Sequence, residues 1–252
     1  EVVILRAYAK YLRQTAIAFS RQYMEQTLAD NPAIVRLLVD LFDTRFNPTH
    51  GDGPKAEKSR TSRIKRITGR IANLLDKVAN LDEDRILRRF LNLIECTLRT
   101  NYYQLGANGI EKSYVSFKLD SQSIDDLPLP RPHVEIWVYS ARVEAVHLRG
   151  GRVARGGLRW SDRREDFRTE VLGLMKAQMV KNAVIVPVGA KGGFVTKVLP
   201  ERGSREDVMA EVVNCYKTFI SGLLDITDNH DGSTIAYPEN VVRYDGTDTY
   251  LV

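Results

Sequence analysis

The first hundred residues carry hydrophobic side chains at intervals of three and four, which is typical of amphipathic helices. One stripe begins after Asn31-Pro32, where proline suits the first turn of a helix, and two longer stripes follow a polar stretch at 47–60 that predicts a loop. The stripes comprise Ile34, Leu37, Leu38, Leu41 and Phe42, then Ile64, Ile67, Ile71, Leu74, Leu75 and Val78, then Ile86, Phe90, Leu93, Ile94 and Leu98. We therefore expect a helical region over residues 1–101.

After Tyr102 the pattern changes, and an α/β domain is expected over residues 102–252. Alternation predicts strands at 114–119, 134–139 and 143–148, and an unbroken apolar run predicts a buried strand at 183–188. Helices are predicted from Asp162 to Lys181 and from Ser204 to Leu224, with glycine-rich turns between the elements. Both ends interrupt a predicted element, a helix at Glu1 and a strand at 250–252, which favours a piece of a longer protein.

Composition narrows the class of protein. The chain has 252 residues and a net charge of +5, and no apolar run is long enough to span a bilayer. Cys96 and Cys215 lie in apolar patterns without CxxC or histidine spacing, so we expect reduced buried thiols and no metal site. In the absence of a secretory signal, the expected location is the cytoplasm.

The residues that carry chemistry lie between Arg155 and Phe194. Two Gly-Gly pairs, each directly preceded by a cation, Arg155 or Lys191, bracket a helix that ends at Lys181. Glycine beside a cation lets backbone amides and a charged group approach the same small anion. Lys191 stands inside Gly-Ala-Lys-Gly-Gly, so it cannot be explained as a surface charge on a helix. Lys181 could simply complement the dipole at the end of its helix.

The basic residues also allow two other functions, phosphate binding and nucleic-acid binding. The glycine-rich segment fails as a phosphate-binding Walker motif, since Gly192 stands where a hydroxyl is needed after the lysine. The basic stretch 55–70 raises a nucleic-acid-binding module as an alternative function, but it lacks interleaved aromatic residues and is better explained as a solvated helix face. Residues 1–101 are compatible with an assembly scaffold.

The order RGGLR, then a helix running through Gln178 to Lys181, then GAKGGF resembles the substrate-binding domain of glutamate dehydrogenases. The whole chain, including its N-terminal helices and the run His147 to Gly151, is similar to the large bacterial NAD-specific branch. The resemblance implies a helical region followed by an α/β substrate-binding domain of the glutamate dehydrogenase type. No GxGxxG follows a strand, so we expect the NAD-binding Rossmann domain to lie outside this chain, with no cofactor-binding residues here.

The resemblance also implies roles for particular residues. Lys191 would be the catalytic lysine, Lys181 and Gln178 would hold the α-carboxylate of L-glutamate, and Gly156 would lie beside the ligand. Arg155 stands where the family has a lysine that reaches the side-chain carboxylate, and arginine can clamp a carboxylate with two hydrogen bonds. Arg159 is a further possible anchor. The family's catalytic aspartate would follow the end of this chain.

The chemistry of the implied reaction matches these residue types. Glutamate has two carboxylates and needs two cationic anchors, and its oxidation passes a hydride from Cα to NAD before water replaces ammonia and 2-oxoglutarate forms. A lysine can move protons near neutral pH where burial and neighbouring cations lower its pKa. The resemblance implies an amino-acid-catabolising oxidoreductase that forms a homo-oligomer, with a tetramer as the expected form. No nucleic-acid or membrane partner is expected.

Overall fold

The computed structural model of the protein describes residues 2–15, 17–51, 53–181, 188–200 and 203–249, with the side chain of Lys181 outside that description. It has the expected order, helices first and a mixed α/β part after them. Among the helices of the described ranges, none has both the length and the apolar character needed to cross a bilayer.

The described part of the N-terminal region forms five helices: α1 (Val2–Gln14), α2 (Arg21–Asp30), α3 (Pro32–Phe46), α4 (Pro54–Leu75) and α5 (Leu81–Cys96), with a 3-10 turn at Pro48–His50. Pro32 occupies the first turn of α3, as predicted. The Asn80 side chain accepts the backbone N–H of Asp82 and so caps α5. The loop predicted over 47–60 is wrong in its second half, because a proline in the first turn starts α4 at Pro54.

One mixed sheet of six strands forms the second part of the described chain. The strands are β1 (Thr97–Thr100), β2 (Tyr114–Leu119), β3 (Val134–Ser140), β4 (Val143–Arg149), β5 (Ala154–Trp160) and β6 (Val188–Thr196), in the spatial order β1-β2-β3-β4-β6-β5. Among the described strands, only β5 and β6 pair in parallel, and the crossover between them contains helix α6 (Phe167–Lys181). The other elements that the structure describes are α7 (Arg205–Leu224) and a small hairpin of β7 (Asn229–Asp231) and β8 (Thr234–Ala236).

The glycine-rich segments are strands, which corrects the predicted turns. Both 154–160 and 188–196 contain a Gly-Gly pair and still complete a regular parallel ladder, since glycine weakens a strand without forbidding it. The strand predicted at 183–188 and the one at 250–252 lie outside the described residues, apart from Val188, which opens β6. Helix α6 begins at Phe167 and not near Asp162, because the Ser161 hydroxyl accepts the backbone N–H of Arg163 and holds a turn there.

The sheet separates two hydrophobic cores. Alternate residues of β4 point to opposite faces, so Val146 and Leu148 pack with α1, α3, α5 and α6, whereas Val143 and Ala145 pack against α7. The larger core is continuous from Ile4 in α1 to Val195 in β6 and therefore crosses the boundary expected at residue 101. Helix α7 follows Ser204, where a helix was predicted to begin, and it starts with a capping box in which Ser204 and Asp207 bond each other's backbone.

Buried ion pairs fasten the last described segment to the sheet on the α7 side. Lys118 Nζ lies 2.6 Å from carboxylate oxygens of both Asp245 and Asp248, and Arg149 also donates to Asp248. Although burial raises the pKa of Asp248, the hydrogen bonds and charges of Arg149 and Lys118 hold it well below its usual range. Residues 245–248 are thereby held beside the end of β4, next to the strand that carries Lys191.

Candidate functional site

Lys191 lies in the middle of β6, between Leu148 of β4 and Gly157 of β5. Its side chain leaves the sheet on the same face as Gly193, where α6 packs, because residues two apart in a strand share a face. A Cβ on Gly157 would stand 4.0 Å from Lys191 Nζ, so the neighbouring strand leaves open space beside the ammonium group. Lys191 is half-buried and forms no ion pair with any residue that the structure describes.

The glycines that follow Lys191 are explained by tight packing on both faces of β6. A Cβ on Gly192 would come within 2.2 Å of the Leu158 side chain, and one on Gly193 within 2.4 Å of Val171 in α6. Larger residues at these positions would push the helices and strand β5 away from β6. The Gly-Gly pair therefore sets the position of the strand that presents Lys191.

Gln178 connects α6 to β5 at the predicted site. Its amide Nε2 donates to the carbonyl oxygen of Arg155 at 2.6 Å, while its Oε1 is buried and has no described hydrogen-bond partner. In the flipped orientation of the amide, Oε1 would face the carbonyl oxygen of Arg155, and two acceptors would meet. The hydrogen bond therefore fixes Nε2 as the atom that contacts Arg155. The structure thus brings Gln178, Arg155 and Gly156 together, with Lys191 one strand away.

Gly156 lies against the backbone of β6. A Cβ at this position would stand 1.3 Å from the carbonyl oxygen of Ala190, where only a glycine fits without separating the two strands. We expect Gly156→Ala to destabilise the chain by about 1–3 kcal/mol, measured by urea unfolding, because the clash is with backbone that cannot rotate away. Gly157→Ala is the matched control, since its Cβ meets nothing closer than Lys191 Nζ. Equal stabilities for the two variants would contradict this packing.

The other predicted cations are placed differently. Lys181 is the last residue of α6, three residues after Gln178, and its side chain lies outside the described structure. Arg155 is exposed and makes no ion pair within the described ranges. Arg159 is already engaged, because its Nε lies 3.1 Å from Glu170 Oε1 and the Ser161 hydroxyl donates to the same carboxylate. Arg155 is therefore the more available of the two arginines.

His147, which the sequence patterns left without a role, packs against the strand of Lys191. It pairs with Gly192 in the sheet, is buried, and its Nε2 has no described partner. Burial and the nearby charge of Arg149 lower its pKa from 6.5 to about 4. No spacing in the sequence signals this position, because its neighbour Gly192 lies forty-five residues further along the chain.

The neutral state of His147 predicts a loss of stability in acid. Its pKa of about 4 in the folded chain lies below 6.5, so the unfolded chain takes up a proton first as the pH falls through that window. We expect the free energy of unfolding to fall between pH 6.5 and 4 by about 3 kcal/mol from this group. Urea unfolding of His147→Gln should show a flatter pH dependence over that window, and an unchanged slope would contradict the assignment.

The described residues contain no group of three or more His, Cys, Asp or Glu side chains arranged to hold a metal ion. Cys96 and Cys215 are both buried and unpaired thiols, and burial raises the pKa of Cys96 to about 12. Neither thiol lies among the residues that gather around Lys191.

Comparison with known proteins gives two family matches. Residues 70–252 match the family described as bacterial NAD-glutamate dehydrogenase, catalytic domain, and residues 1–48 match glutamate dehydrogenase, helical motif 3. The chain is 56% identical over its full length to an NAD-specific glutamate dehydrogenase of Pseudomonas aeruginosa and 54% identical to one of Halomonas elongata. It spans about 15% of the length of these relatives. A probable NAD-specific glutamate dehydrogenase of Schizosaccharomyces pombe is 27% identical over 71% of the chain.

Proposed function

This chain belongs to the bacterial NAD-glutamate dehydrogenase family, and from that premise we propose that it forms the substrate-binding part of an enzyme. The enzyme reversibly converts L-glutamate to 2-oxoglutarate and ammonia. The observation that carries the proposal is the position of Lys191, half-buried opposite Gly157 and one strand from the Gln178–Arg155 hydrogen bond. The alternative of a nucleic-acid-binding or scaffold module without catalysis has no comparable support.

Substrate binding is assigned to residues on β5 and α6. Lys181 and Gln178 hold the α-carboxylate, Arg155 reaches the side-chain carboxylate, and Gly156 lies beside the ligand. The exposure of Arg155 supports its role, because a guanidinium without a carboxylate partner among the described residues is available to a dicarboxylate. The bond from Gln178 to Arg155 supports a common site, since it fixes the end of α6 against the start of β5.

Lys191 moves the protons. NAD, when bound, accepts the hydride from Cα, and we assign its binding mainly to a domain outside this chain. Lys191 then takes a proton from the water that adds to the iminium carbon, and returns a proton to the departing ammonia. Half-burial on the α6 face shields part of the Lys191 side chain from bulk water.

The same family membership supports the wider proposal. The enzyme acts in amino-acid catabolism in the cytoplasm and works as a homo-oligomer, with a tetramer as the expected form. Glutamate and 2-oxoglutarate are its small-molecule partners.

Replacement of Lys181 in the full-length enzyme tests substrate binding. We expect Lys181→Ala to raise the KM for glutamate by about ten- to a hundredfold, because a lost charge-assisted hydrogen bond costs about 1.5–3 kcal/mol. Steady-state kinetics with NAD in excess measures this, and Lys176→Ala, an exposed lysine of the same helix, is the control. An unchanged KM would return Lys181 to the role of a cation that complements the helix dipole.

A further inference from the structure

Helix α4 carries the whole excess of positive charge. Between Pro54 and Leu75 there are seven basic residues and one acidic residue, a net charge of +6, whereas the chain as a whole carries +5. The rest of the chain therefore sums to −1. The sequence pattern alone favoured a solvated helix face for 55–70, but a charge excess confined to one helix differs from the mixed charges of an ordinary solvated surface.

These cations lie on the face of α4 that points away from the protein. The helix buries Ile67, Ile71 and Leu75, and its exposed basic residues lie on the other side. We call this surface the α4 basic face, and it consists of Lys55, Lys58, Lys65, Arg66 and Arg70. It extends for about 22 Å along the helix, at 1.5 Å per residue.

No carboxylate that the structure describes neutralises the α4 basic face. Asp76, the acidic residue that directly follows the helix, pairs with Arg88 of α5. Like charges three and four residues apart, such as Arg66 and Arg70, disfavour the isolated helix. Gly69 also lowers the stability of the helix, because glycine has a low helix propensity. Packing does not require a glycine there, since a Cβ would meet nothing within 4 Å.

Each of these features is explained by a surface that meets an acidic partner. We propose that the α4 basic face docks a protein surface bearing a row of carboxylates, an interaction beyond the proposed catalytic function and independent of it. A second copy of the chain fits less well, because two α4 basic faces repel each other and the net charge of the rest of the chain is close to zero. Nucleic acid fits less well, since no aromatic side chain of α4 is available to stack on bases.

Binding of a labelled polyglutamate peptide to the full-length protein tests the proposal. A peptide of about twenty residues matches the length of the helix. We expect saturable binding that weakens as salt rises through about 0.1 M. The triple variant Lys58→Glu, Lys65→Glu, Arg66→Glu should weaken binding by at least about tenfold, because three exposed pairs become repulsive.

The matched control changes the same net charge elsewhere. Arg36, Arg205 and Lys217 are exposed and lie on other helices, so their triple replacement by glutamate should leave binding within about twofold. Glutamate oxidation should be normal in both variants, which separates this proposal from the catalytic one. Equal loss of binding in the two variants, no binding at low salt, or tighter binding of single-stranded oligothymidylate than of polyglutamate would overturn it.

Discussion

Lys191→Met in the full-length enzyme should lower kcat for glutamate oxidation by roughly a hundredfold or more, the scale expected when an acid–base group is removed. Methionine keeps the length and removes the charge. The melting temperature should stay nearly unchanged, because Lys191 makes no ion pair with any described residue whose loss would cost stability. Stopped-flow measurement of NADH formation gives kcat and, in single turnovers, shows which step is slowed.

Lys176→Met is the matched control for this substitution. Lys176 is an exposed lysine on α6, on the same side of the sheet as Lys191, and it has no assigned role. It should retain the kcat of the unmodified enzyme. Near-normal turnover by Lys191→Met would show that the assignment of the catalytic lysine is wrong, even if substrate binding by Lys181 were established.

The helical part of the fold was predictable because its signal is local. Stripes such as the one through Ile67 and Ile71 face the core as expected, and Pro32 and Ser204 begin helices where their backbone chemistry favours it. The prediction of a loop over 47–60 was wrong from Pro54 onward, where α4 begins. The polar composition of 54–60 does not distinguish an exposed first turn of a helix from a loop. Exposed helical turns bury little and leave no hydrophobic pattern.

The strands that carry the site were not predictable from local pattern. Glycine-rich segments usually indicate turns, yet Gly192 and Gly193 are required in β6 by side chains from distant parts of the chain. Leu158 and Val171 fill the space on the two faces, and neither contact has a signature in the sequence around Lys191. The order of glycines and cations pointed to the site because it resembles a known family. The strand conformation of the same segments could be recognised only from their tertiary contacts.

The same limit applies to the boundary between the two regions. The change of pattern at Tyr102 suggested a boundary between a helical region and an α/β domain, and the helical region over residues 1–101 stays a prediction. In the structure, however, Tyr11 of α1 donates a 2.7 Å hydrogen bond to Glu135 of β3. A buried polar contact between residues 124 apart leaves no periodic trace in the sequence.

Glu135 is the centre of a buried network that joins the two regions at α6. Arg168, in the first turn of α6, donates to both carboxylate oxygens at 2.8 and 2.9 Å, and Ser121 adds a bond at 3.0 Å. Burial works to lower the pKa of Arg168, yet Glu135 and Tyr11 raise it above its ordinary value, so the arginine is charged. The helix that ends at Gln178 and Lys181 is thus anchored at its start by a fully buried ion pair.

Arg168→Met should destabilise the chain by about 3–5 kcal/mol, because it leaves the carboxylate of Glu135 buried without its counter-charge. Urea unfolding near neutral pH measures the loss. The double variant Arg168→Met, Glu135→Gln should recover part of it, since both charges are then absent and only hydrogen bonds are missing. Tyr11→Phe, which removes a single donor from the same carboxylate, should cost less stability than Arg168→Met.

Two outcomes would contradict this account of the ion pair. If Arg168→Met lost under about 1 kcal/mol, the value typical of exposed pairs, the ion pair would not be the anchor of α6. If the double variant were no more stable than Arg168→Met, the loss would arise from packing around the arginine rather than from the unpaired carboxylate.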